Sequence, residues 1–327
     1  MSIPIVNQDP PFNITRASHV RYLVKNLDAS LRFYTEVLGF VISDQDSNAA
    51  YLRGVEEACH HSVVLTRSDE APAAECIGMR VRSEEDLHIA KEYFPAHGGA
   101  AEWVERPYQG LTLLTTFGTG TPPLELCSGM PVQPRLLNNF PAQKGGRVLR
   151  LDHYQCTVPS AHDTVAKFMG LGFRPSKYTT DVNSGEILAA FLTRKNNPHD
   201  LVLAKAAGPR LHHASFVVSD LQSIFRACDI AGNLGYGRQV EHGPGRHGPP
   251  NGIFIYFRDP DGHRIENILP PMQFMDPEDV PNAWNSTDAV SLVPWGPGAP
   301  QKWREEMTLF AGIESTGGTL ARWTSMG

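Results

Sequence analysis

The stretch Gly252-Ile-Phe-Ile-Tyr-Phe-Arg-Asp-Pro-Asp-Gly-His-Arg-Ile-Glu266 decides the fold of this chain. Its β-branched and aromatic first half, Gly252 to Arg258, predicts a strand that enters a core. The Asp-Pro-Asp-Gly sequence that follows is typical of a tight turn, because proline presets φ and glycine adopts positive φ at little cost. His263 to Leu269 is then the returning strand. This hairpin brings Tyr256 and Glu266 to one cavity, and such a pair indicates a site.

The composition restricts the classes of function. The 327 residues include 29 Lys and Arg against 35 Asp and Glu, a net charge of −6, which predicts no basic surface for nucleic acid. No apolar run approaches the ~20 residues of a membrane-spanning helix, and the N-terminus lacks a signal-peptide pattern, so no membrane partner is expected. The five cysteines are odd in number and widely spaced, which predicts reduced thiols and a cytoplasmic protein.

A pattern of one strand, one helix and three further strands occurs four times. The four units begin near Ser18, Ile77, Leu151 and Leu211. Repetition of this kind means that each unit is too small to bury its own sheet, so neighbouring units should pair around a shared cavity. The sequence therefore predicts an α+β protein with four βαβββ modules.

Pairing of the modules predicts two open-barrel domains. We place the first at residues 1–135 and the second, which would carry the metal and the catalytic residues, at residues 146–270. The Pro- and Gly-containing segment from Pro131 to Gly146 would link them. Residues 271–327 are irregular and rich in Pro, Gly and Trp, and we expect this tail to pack over the active site.

His153, His213 and Glu266 form the candidate metal site. The two histidines occupy equivalent positions in the first strands of the third and fourth modules, and Glu266 ends the fourth. Two histidines and one carboxylate that leave coordination positions open are the facial triad of non-haem Fe(II) oxygenases. His212 is the adjacent alternative, but strand alternation sends it and His213 to opposite faces, and the alignment with His153 selects His213.

Three further residues are candidates for catalysis. His247 and Tyr256 could orient a substrate and oxygen beside the metal, although a loop histidine and a core tyrosine explain them equally well. His242 lies with His247 in a Gly/Pro-rich loop expected above the hairpin. His199 could act as an acid or base, or could be a structural copy of His61, since the repeat places a histidine before both strands.

The sequence also resembles a known family. Gly245-Arg-His247, Ile255-Tyr256, the Asp-Pro-Asp-Gly turn and Glu266 match the pattern of the type I extradiol ring-cleaving dioxygenases of the vicinal oxygen chelate superfamily. The similarity is greatest to the homoprotocatechuate 2,3-dioxygenase and catechol 2,3-dioxygenase branch. It implies His153, His213 and Glu266 as ligands of Fe(II), or of Mn(II) in some members. It implies His199 as the acid/base and His247 and Tyr256 as catalytic neighbours.

The resemblance also implies a vestigial first domain with His19 at the degenerate ligand position. The chain departs from the branch at positions that would bind the substrate. Arginines that hold a substrate carboxylate in the branch are replaced by His242 and by a residue near Leu292, which favours a neutral or apolar ring substituent. The remaining substrate-binding candidates, two of which replace a tryptophan and an asparagine of the branch, are Phe191, Gln155 and Trp284.

The expected reaction is insertion of both atoms of O₂ into a catechol, which opens the ring to a semialdehyde or ketone. Alternatives are a glyoxalase-like metal-dependent isomerase or lyase and a non-enzymatic protein that binds aromatic ligands. A homo-oligomer, by analogy a tetramer, is expected.

Overall fold

The computed structural model describes residues 3–248, 250–276, 278–285 and 293–317. Within these ranges the strands form two large sheets flanked by short helices, and the expected α+β class is confirmed. The described helices are all too short or too polar to cross a membrane.

The first sheet has the order β2-β3-β4-β1-β5-β8-β7-β6, and β1 and β5 run antiparallel at its centre. The last strand of each module pairs in parallel with the first strand of the same module, β4 with β1 and β8 with β5. Its strands are β1 (Ile14–Val24), β2 (Val41–Gln45), β3 (Ala49–Arg53), β4 (Val63–Arg67), β5 (Ala73–Val81), β6 (Ala100–Val104), β7 (Thr112–Thr116) and β8 (Leu124–Cys127).

The second sheet repeats this plan, with the order β14-β15-β16-β13-β9-β12-β11-β10-β17 and with β18 paired to β13. The tail supplies β17 and β18, which the sequence did not predict. Its strands are β9 (Val148–Val158), β10 (Arg174–Thr180), β11 (Ile187–Thr193), β12 (Leu201–Lys205), β13 (Arg210–Val218), β14 (Val240–Arg246), β15 (Ile253–Arg258), β16 (Arg264–Ile268), β17 (Asn282–Asn285) and β18 (Thr308–Leu309).

The first helix begins at a capping side chain and its π-helical continuation ends at a glycine. Asn26 caps the first helix by accepting a hydrogen bond from the Ala29 amide at 3.0 Å, and Gly39 ends the following turn of π-helix at φ 88°. The helices are α1 (Leu27–Arg32), which continues as a π-helix (Phe33–Leu38), α2 (Glu84–Ala96), α3 (Ala161–Gly170), α4 (Leu221–Asn233) and α5 (Gln301–Glu305), with 3₁₀ turns at Phe140–Ala142 and Gly237–Gln239.

All four predicted βαβββ modules are present. The sequence did not identify β6 and β10, the first of the three later strands in the second and third modules. β6 is an edge strand whose residues are all at least partly exposed, whereas β10 is mostly buried but consists largely of polar residues, so the hydrophobic alternation is weak in both.

One hydrophobic core runs through both sheets, and the turn from Asp259 to Gly262 helps to join them. The Asp259 carboxylate accepts a hydrogen bond from the Tyr34 hydroxyl at 3.2 Å. The Asp261 carboxylate accepts from the Lys25 amide and from the Ser30 hydroxyl, each at 3.0 Å. The turn between β15 and β16 is thereby fixed to the first module, which anchors the strand that carries Glu266.

Candidate metal and catalytic site

Strand pairing brings most of the predicted residues to one face of the second sheet. Paired residues on adjacent strands point to the same side, and residues two apart along a strand do so as well. One row of paired residues crosses five strands: His153, Ser215, Glu266, Tyr256 and His242. The next row on the same face starts on β13 and β9 and continues across β12, β11 and β10. Its residues are His213, Gln155, Val202, Phe191 and Lys177.

The three predicted ligands converge on one point. His153 Nε2 and His213 Nε2 are 3.3 Å apart, and each is 3.4 Å from Glu266 Oε2. Adjacent ligands of one metal ion at about 2.1 Å are separated by about 3.0 to 3.5 Å, so this triangle fits a metal. Glu266 Oε2 is buried and has no hydrogen-bond partner among the described residues, as expected of an atom reserved for a cation.

The carboxylate of Asp152 orients His153. Asp152 Oδ2 lies 2.7 Å from His153 Nδ1, and since a carboxylate only accepts, this nitrogen carries the proton and Nε2 faces the triangle. Burial raises the pKa of Asp152, but the His153 hydrogen bond and the Lys195 charge outweigh it and hold the pKa below its ordinary value. Asp152, His153 and His199 also lie close enough together to hold a metal, but Asp152 already binds His153.

His212 and His213 do not point to opposite faces, so the prediction from strand alternation is wrong. The register of β13 against β9 shifts between Leu211 and His213, and a bulge of this kind changes the direction of side chains. The two Nδ1 atoms therefore lie 2.7 Å apart, and both rings are buried. His213 remains the member of the pair whose Nε2 reaches the triangle, and burial lowers its pKa to about 4.

His247 and Tyr256 lie against the other oxygen of Glu266. His247 Nε2 is 3.0 Å from both Glu266 Oε1 and the Tyr256 hydroxyl. Burial raises the pKa of Glu266, but the adjacent His213 and His247 side chains outweigh it and hold the pKa well below the ordinary value. Burial and the Glu266 charge raise the pKa of Tyr256 well above 10, so the tyrosine is a neutral phenol that can donate a hydrogen bond.

His199 lies beside His153, whereas His247 and Tyr256 lie beside Glu266. The two rings are 4.0 Å apart between centroids, and Phe191 packs edge-on against His199 at 5.1 Å. Burial and the neighbouring His153 and Lys177 lower the pKa of His199 well below 6.5, so the imidazole is neutral. Its Nδ1 is buried without a hydrogen-bond partner in the described part of the chain.

His242 is in a strand and not in a loop as predicted. β14 extends from Val240 to Arg246, and His242 pairs with Tyr256 across two register shifts. The glycines and the proline of this segment are accommodated at these irregularities, which is why their composition resembled a loop. The His242 ring stacks on Tyr256 at 5.8 Å, and burial lowers its pKa to about 4.

The remaining substrate-binding candidates lie farther along the sheet. Gln155 pairs with His213 in the second row, and Trp284 pairs with Thr179 at the β17 edge. Trp284 is on the face that Lys177 shares, since Thr179 and Lys177 are two positions apart. Leu292 lies outside the described residues.

Lys177 is an unpredicted cation on this face. It is 1 % exposed, and its Nζ lies 5.4 Å from the centre of the Phe191 ring. Burial lowers the pKa of Lys177 to about 7. The sequence offered no signal for it, because a lysine in a strand is ordinarily a surface residue.

The equivalent position in the first sheet is arranged differently. In the first sheet, His19 pairs with Gly78 and Gly78 pairs with Glu125. These pairings correspond to those of His153 with Ser215 and of Ser215 with Glu266 in the second sheet. Glu125 binds His19 Nε2 at 2.8 Å, Gln109 Nε2 at 2.7 Å and Arg106 Nε at 2.7 Å. A guanidinium thus supplies the positive charge that the Glu266 triangle lacks.

The tail contributes Trp303 to the surroundings of the site. Its ring packs against His212 at 4.4 Å and against both His242 and Tyr256 at 5.5 Å. Trp295 reaches the strand that carries His242, because its carbonyl accepts a hydrogen bond from the Arg246 amide at 3.1 Å.

The fold agrees with comparisons to known proteins. Residues 16–111 and 150–267 match the Glyoxalase/Bleomycin resistance protein/Dioxygenase superfamily. The chain belongs to this superfamily. The family resemblance predicted from the sequence is confirmed.

Its relatives include a dioxygenase and metapyrocatechases. The chain is 27 % identical over 299 residues to a manganese-dependent 2,3-dihydroxybiphenyl 1,2-dioxygenase from Geobacillus genomosp. 3, covering 86 % of this chain and 93 % of the relative. It is 26 % identical over 276 residues to a metapyrocatechase from Geobacillus stearothermophilus, covering 79 % and 82 %.

Solved structures of similar fold include homoprotocatechuate 2,3-dioxygenases. The complex of the Brevibacterium fuscum enzyme with 3,4-dihydroxyphenylacetate has a TM-score of 0.89 and 31 % identity, covering 96 % of this chain and 99 % of that chain. The Arthrobacter globiformis enzyme has a TM-score of 0.88 and 29 % identity, covering 98 % and 99 %.

Sequence reasoning missed the residues that support the predicted ligands. Asp152 stands beside His153 in the sequence and could have been identified as its partner, because metal-binding histidines ordinarily donate to a carboxylate or carbonyl. Trp303 and Lys177 gave no such signal, since the contacts that bring them to the site join segments far apart in the sequence.

Proposed function

We propose that this chain is an extradiol dioxygenase that uses O₂ to open the ring of a catechol beside its two hydroxyls. The observation that carries the proposal is the triangle of His153, His213 and Glu266, with His199 on one side and His247 and Tyr256 on the other. Its curated relatives are a dihydroxybiphenyl dioxygenase and metapyrocatechases, which supports this activity.

The metal that we propose is Fe(II), with Mn(II) as the alternative. Two imidazoles and one carboxylate suit both ions, and one relative is described as manganese-dependent. His153, His213 and Glu266 would hold the ion, which would supply a positive centre for the catechol oxygens and redox chemistry with O₂. The carboxylate balances only part of the charge of a divalent ion, so the site favours an anionic ligand.

His199 is proposed as the acid/base. Its imidazole is neutral because of burial, and its ring lies 4.0 Å from that of His153, beside the metal position. A neutral imidazole can take a proton from a catechol hydroxyl and later return it. The unpartnered Nδ1 leaves one nitrogen without a fixed role in the protein, which supports proton transfer over a structural role.

Tyr256 is proposed as a donor to substrate oxygen, with His247 as the neighbour that orients it. Since ionised Glu266 only accepts, His247 must use its Nε2 proton toward Glu266 or Tyr256, and Nε2 cannot then accept from the tyrosine. The phenol hydrogen of Tyr256 then has Glu266 as its acceptor in the protein, and a substrate oxygen beside Glu266 would offer it a second acceptor. A donor held in place in a buried site stabilises developing negative charge.

A neutral or apolar ring substituent is proposed. His242 is uncharged near neutral pH, because burial lowers its pKa to about 4, and Phe191 offers an apolar surface beside His199. Neither can form the bidentate pair that an arginine makes with a carboxylate. Lys177 is a cation on this face beside Phe191, so turnover of a carboxylated catechol that depends on Lys177 would refute this part of the proposal.

We further propose that residues 1–135 form a non-catalytic domain, that residues 146–270 form the catalytic domain and that residues 271–327 cover the site. The contacts of Arg106 with Glu125 and of Trp303 with Tyr256 support these assignments. A homo-oligomer remains a prediction by analogy. The five cysteines are all free thiols, which supports a reducing compartment such as the cytoplasm.

The test is anaerobic loading with Fe(II), or separately with Mn(II), followed by a panel of catechols in air. The panel contains catechol, 3-methylcatechol, 4-methylcatechol, 2,3-dihydroxybiphenyl and homoprotocatechuate. We expect O₂ uptake with a yellow product, lost in His153→Ala. Bound metal without O₂ uptake on any catechol would refute the dioxygenase, and would favour the isomerase, the lyase or the ligand-binding protein.

A further inference from the structure

We propose that His212 is a positioning residue that fixes which ring nitrogen of His213 faces His153 and Glu266, through a hydrogen-bond chain from the backbone of the C-terminal tail. The chain has two links. His212 Nε2 lies 3.1 Å from the Trp303 carbonyl oxygen, and His212 Nδ1 lies 2.7 Å from His213 Nδ1. This inference rests on the metal site of the proposed function.

The carbonyl decides where the protons lie. A carbonyl oxygen only accepts, so His212 must carry its proton on Nε2. In a neutral His212 the Nδ1 atom is then a bare acceptor, and the short contact requires that His213 Nδ1 donates to it. A neutral His213 protonated at Nδ1 has a bare Nε2, which is the atom that points at His153 Nε2 and Glu266 Oε2.

The surroundings of His212 are buried and already hold one positive charge. It is 0 % exposed, and the guanidinium of Arg264 donates to its carbonyl at 3.0 Å. A second positive charge buried beside this guanidinium would be costly without a partner of its own. Glu241, the acidic group in this cluster, is already bound to Arg264 at 2.6 Å and to Arg258 at 3.0 Å.

The tail is held so that the Trp303 carbonyl stays in place. Arg264 donates to the Glu306 carbonyl at 3.0 Å, and Arg258 donates to the same oxygen at 2.9 Å. The indole of Trp303 packs against the His212 ring at 4.4 Å. The tail therefore takes part in the metal site through one backbone atom, besides covering it.

The two candidate ligand histidines thus receive different support. His153 donates to the carboxylate of Asp152, whereas His213 donates to a neutral imidazole. Groups that orient metal-binding histidines commonly account for about 10- to 100-fold in metal affinity. We expect His212 to fall within this range.

The first experiment measures Mn(II) affinity of the full-length protein by competition with a chelator. His212→Leu removes the acceptor and should weaken affinity about 10- to 100-fold. His212→Gln can donate its amide N–H to the Trp303 carbonyl and accept with its oxygen from His213, so it should bind within about threefold of wild type.

His60→Leu is the matched control, because His60 Nδ1 lies 3.2 Å from His61 Nδ1 in the first sheet. It removes a buried histidine from an equivalent pair away from the triangle, and we expect wild-type affinity. Folded His212→Leu with wild-type affinity, or an equal loss in His212→Gln, would overturn the inference. Wild-type protein that binds no metal would instead refute the proposed function.

The second experiment reads the protonation directly and needs no substitution at His212. Nitrogen-15 NMR of histidine-labelled wild-type protein assigns the protonated ring nitrogen of each histidine. We expect His212 protonated at Nε2 and His213 at Nδ1, with coupling between the two Nδ1 atoms through the hydrogen bond. His213 protonated at Nε2 alone would overturn the inference, even if every variant at position 212 failed to fold.

Discussion

Replacement of Asp152 by asparagine tests how much the orientation of His153 contributes to the metal site. In the structure the carboxylate serves two donors, His153 Nδ1 at 2.7 Å through Oδ2 and Asn197 Nδ2 at 3.3 Å through Oδ1. Asparagine has one acceptor oxygen for these two donors. Asp152 is 1 % exposed, so water cannot replace the lost acceptor.

The expected loss follows from these contacts. If the amide oxygen turns to His153, its NH₂ group faces the Asn197 donor, and if it turns away, His153 loses its acceptor. We expect Asp152→Asn to weaken Mn(II) binding about 10- to 100-fold, which corresponds to about 1.4 to 2.7 kcal/mol. The loss should appear in metal affinity first, and ring cleavage should recover in part at saturating metal.

The assay is chelator competition at fixed pH, with a thermal melt of the metal-free protein to confirm folding. Ser18→Ala is the matched control, because the Ser18 hydroxyl contacts His19 Nδ1 at 3.1 Å at the equivalent position of the first sheet. We expect this control to bind metal as wild type does. A folded Asp152→Asn protein with wild-type affinity would show that Asp152 does not support His153 as argued.

Three further predictions concern the neighbouring residues. His199→Asn should lower turnover, measured with an oxygen electrode, about 10²- to 10⁴-fold. Its Mn(II) affinity, measured by chelator competition, should stay near wild type, and a loss of affinity equal to the loss of turnover would contradict a proton-transfer role. Burial raises the pKa of Glu241, but Arg264 and Arg258 outweigh it and hold the pKa below 4.5. The pairing of Glu241 with the two arginines therefore stabilises the fold above the ordinary pKa, and this stabilisation is lost as pH falls through the pKa of Glu241 in the folded protein. Glu241→Gln should therefore reduce the unfolding free energy by about 3 to 5 kcal/mol at pH 7, and urea titrations should show a smaller difference at pH 4; an unchanged difference would contradict the pairing. Burial lowers the pKa of Lys177 from 10.5 to about 7, so the cost of its charge is full below pH 7 and is relieved as pH rises toward 10.5. Lys177→Met should melt above wild type at pH 6, with the gap narrowing by pH 9, and a constant gap would indicate that the lysine charge is not penalised.

The sequence predicted the modules well because each depends on short-range patterns. Strand, helix and turn patterns identified the four repeated units. They failed at β6, whose exposed edge weakens the alternation, at β10, whose residues are largely polar although mostly buried, and at His242, whose neighbouring glycines and proline resembled a loop. These are positions where pairing with another strand overrides local composition.

The candidate ligands were also accessible from the sequence. The repeat placed His153 and His213 at equivalent positions, and the spacing from the turn placed Glu266. Register then brings them together, because the two first strands pair so that His153 lies opposite Ser215 and His213 opposite Gln155. The triangle is a consequence of the internal symmetry that the repeat records.

The sequence by itself therefore determined the α+β modules, their pairing and the identity of the candidate ligands, since these follow from periodicity and from spacing along the chain. Only the tertiary structure decided which groups support them. The bulge that turns His212 toward His213, the carbonyl of Trp303 and the burial of Lys177 depend on contacts between residues far apart in sequence. A strand pattern records which face a residue should occupy, but a single shift in register changes that face, and no local pattern reports the shift.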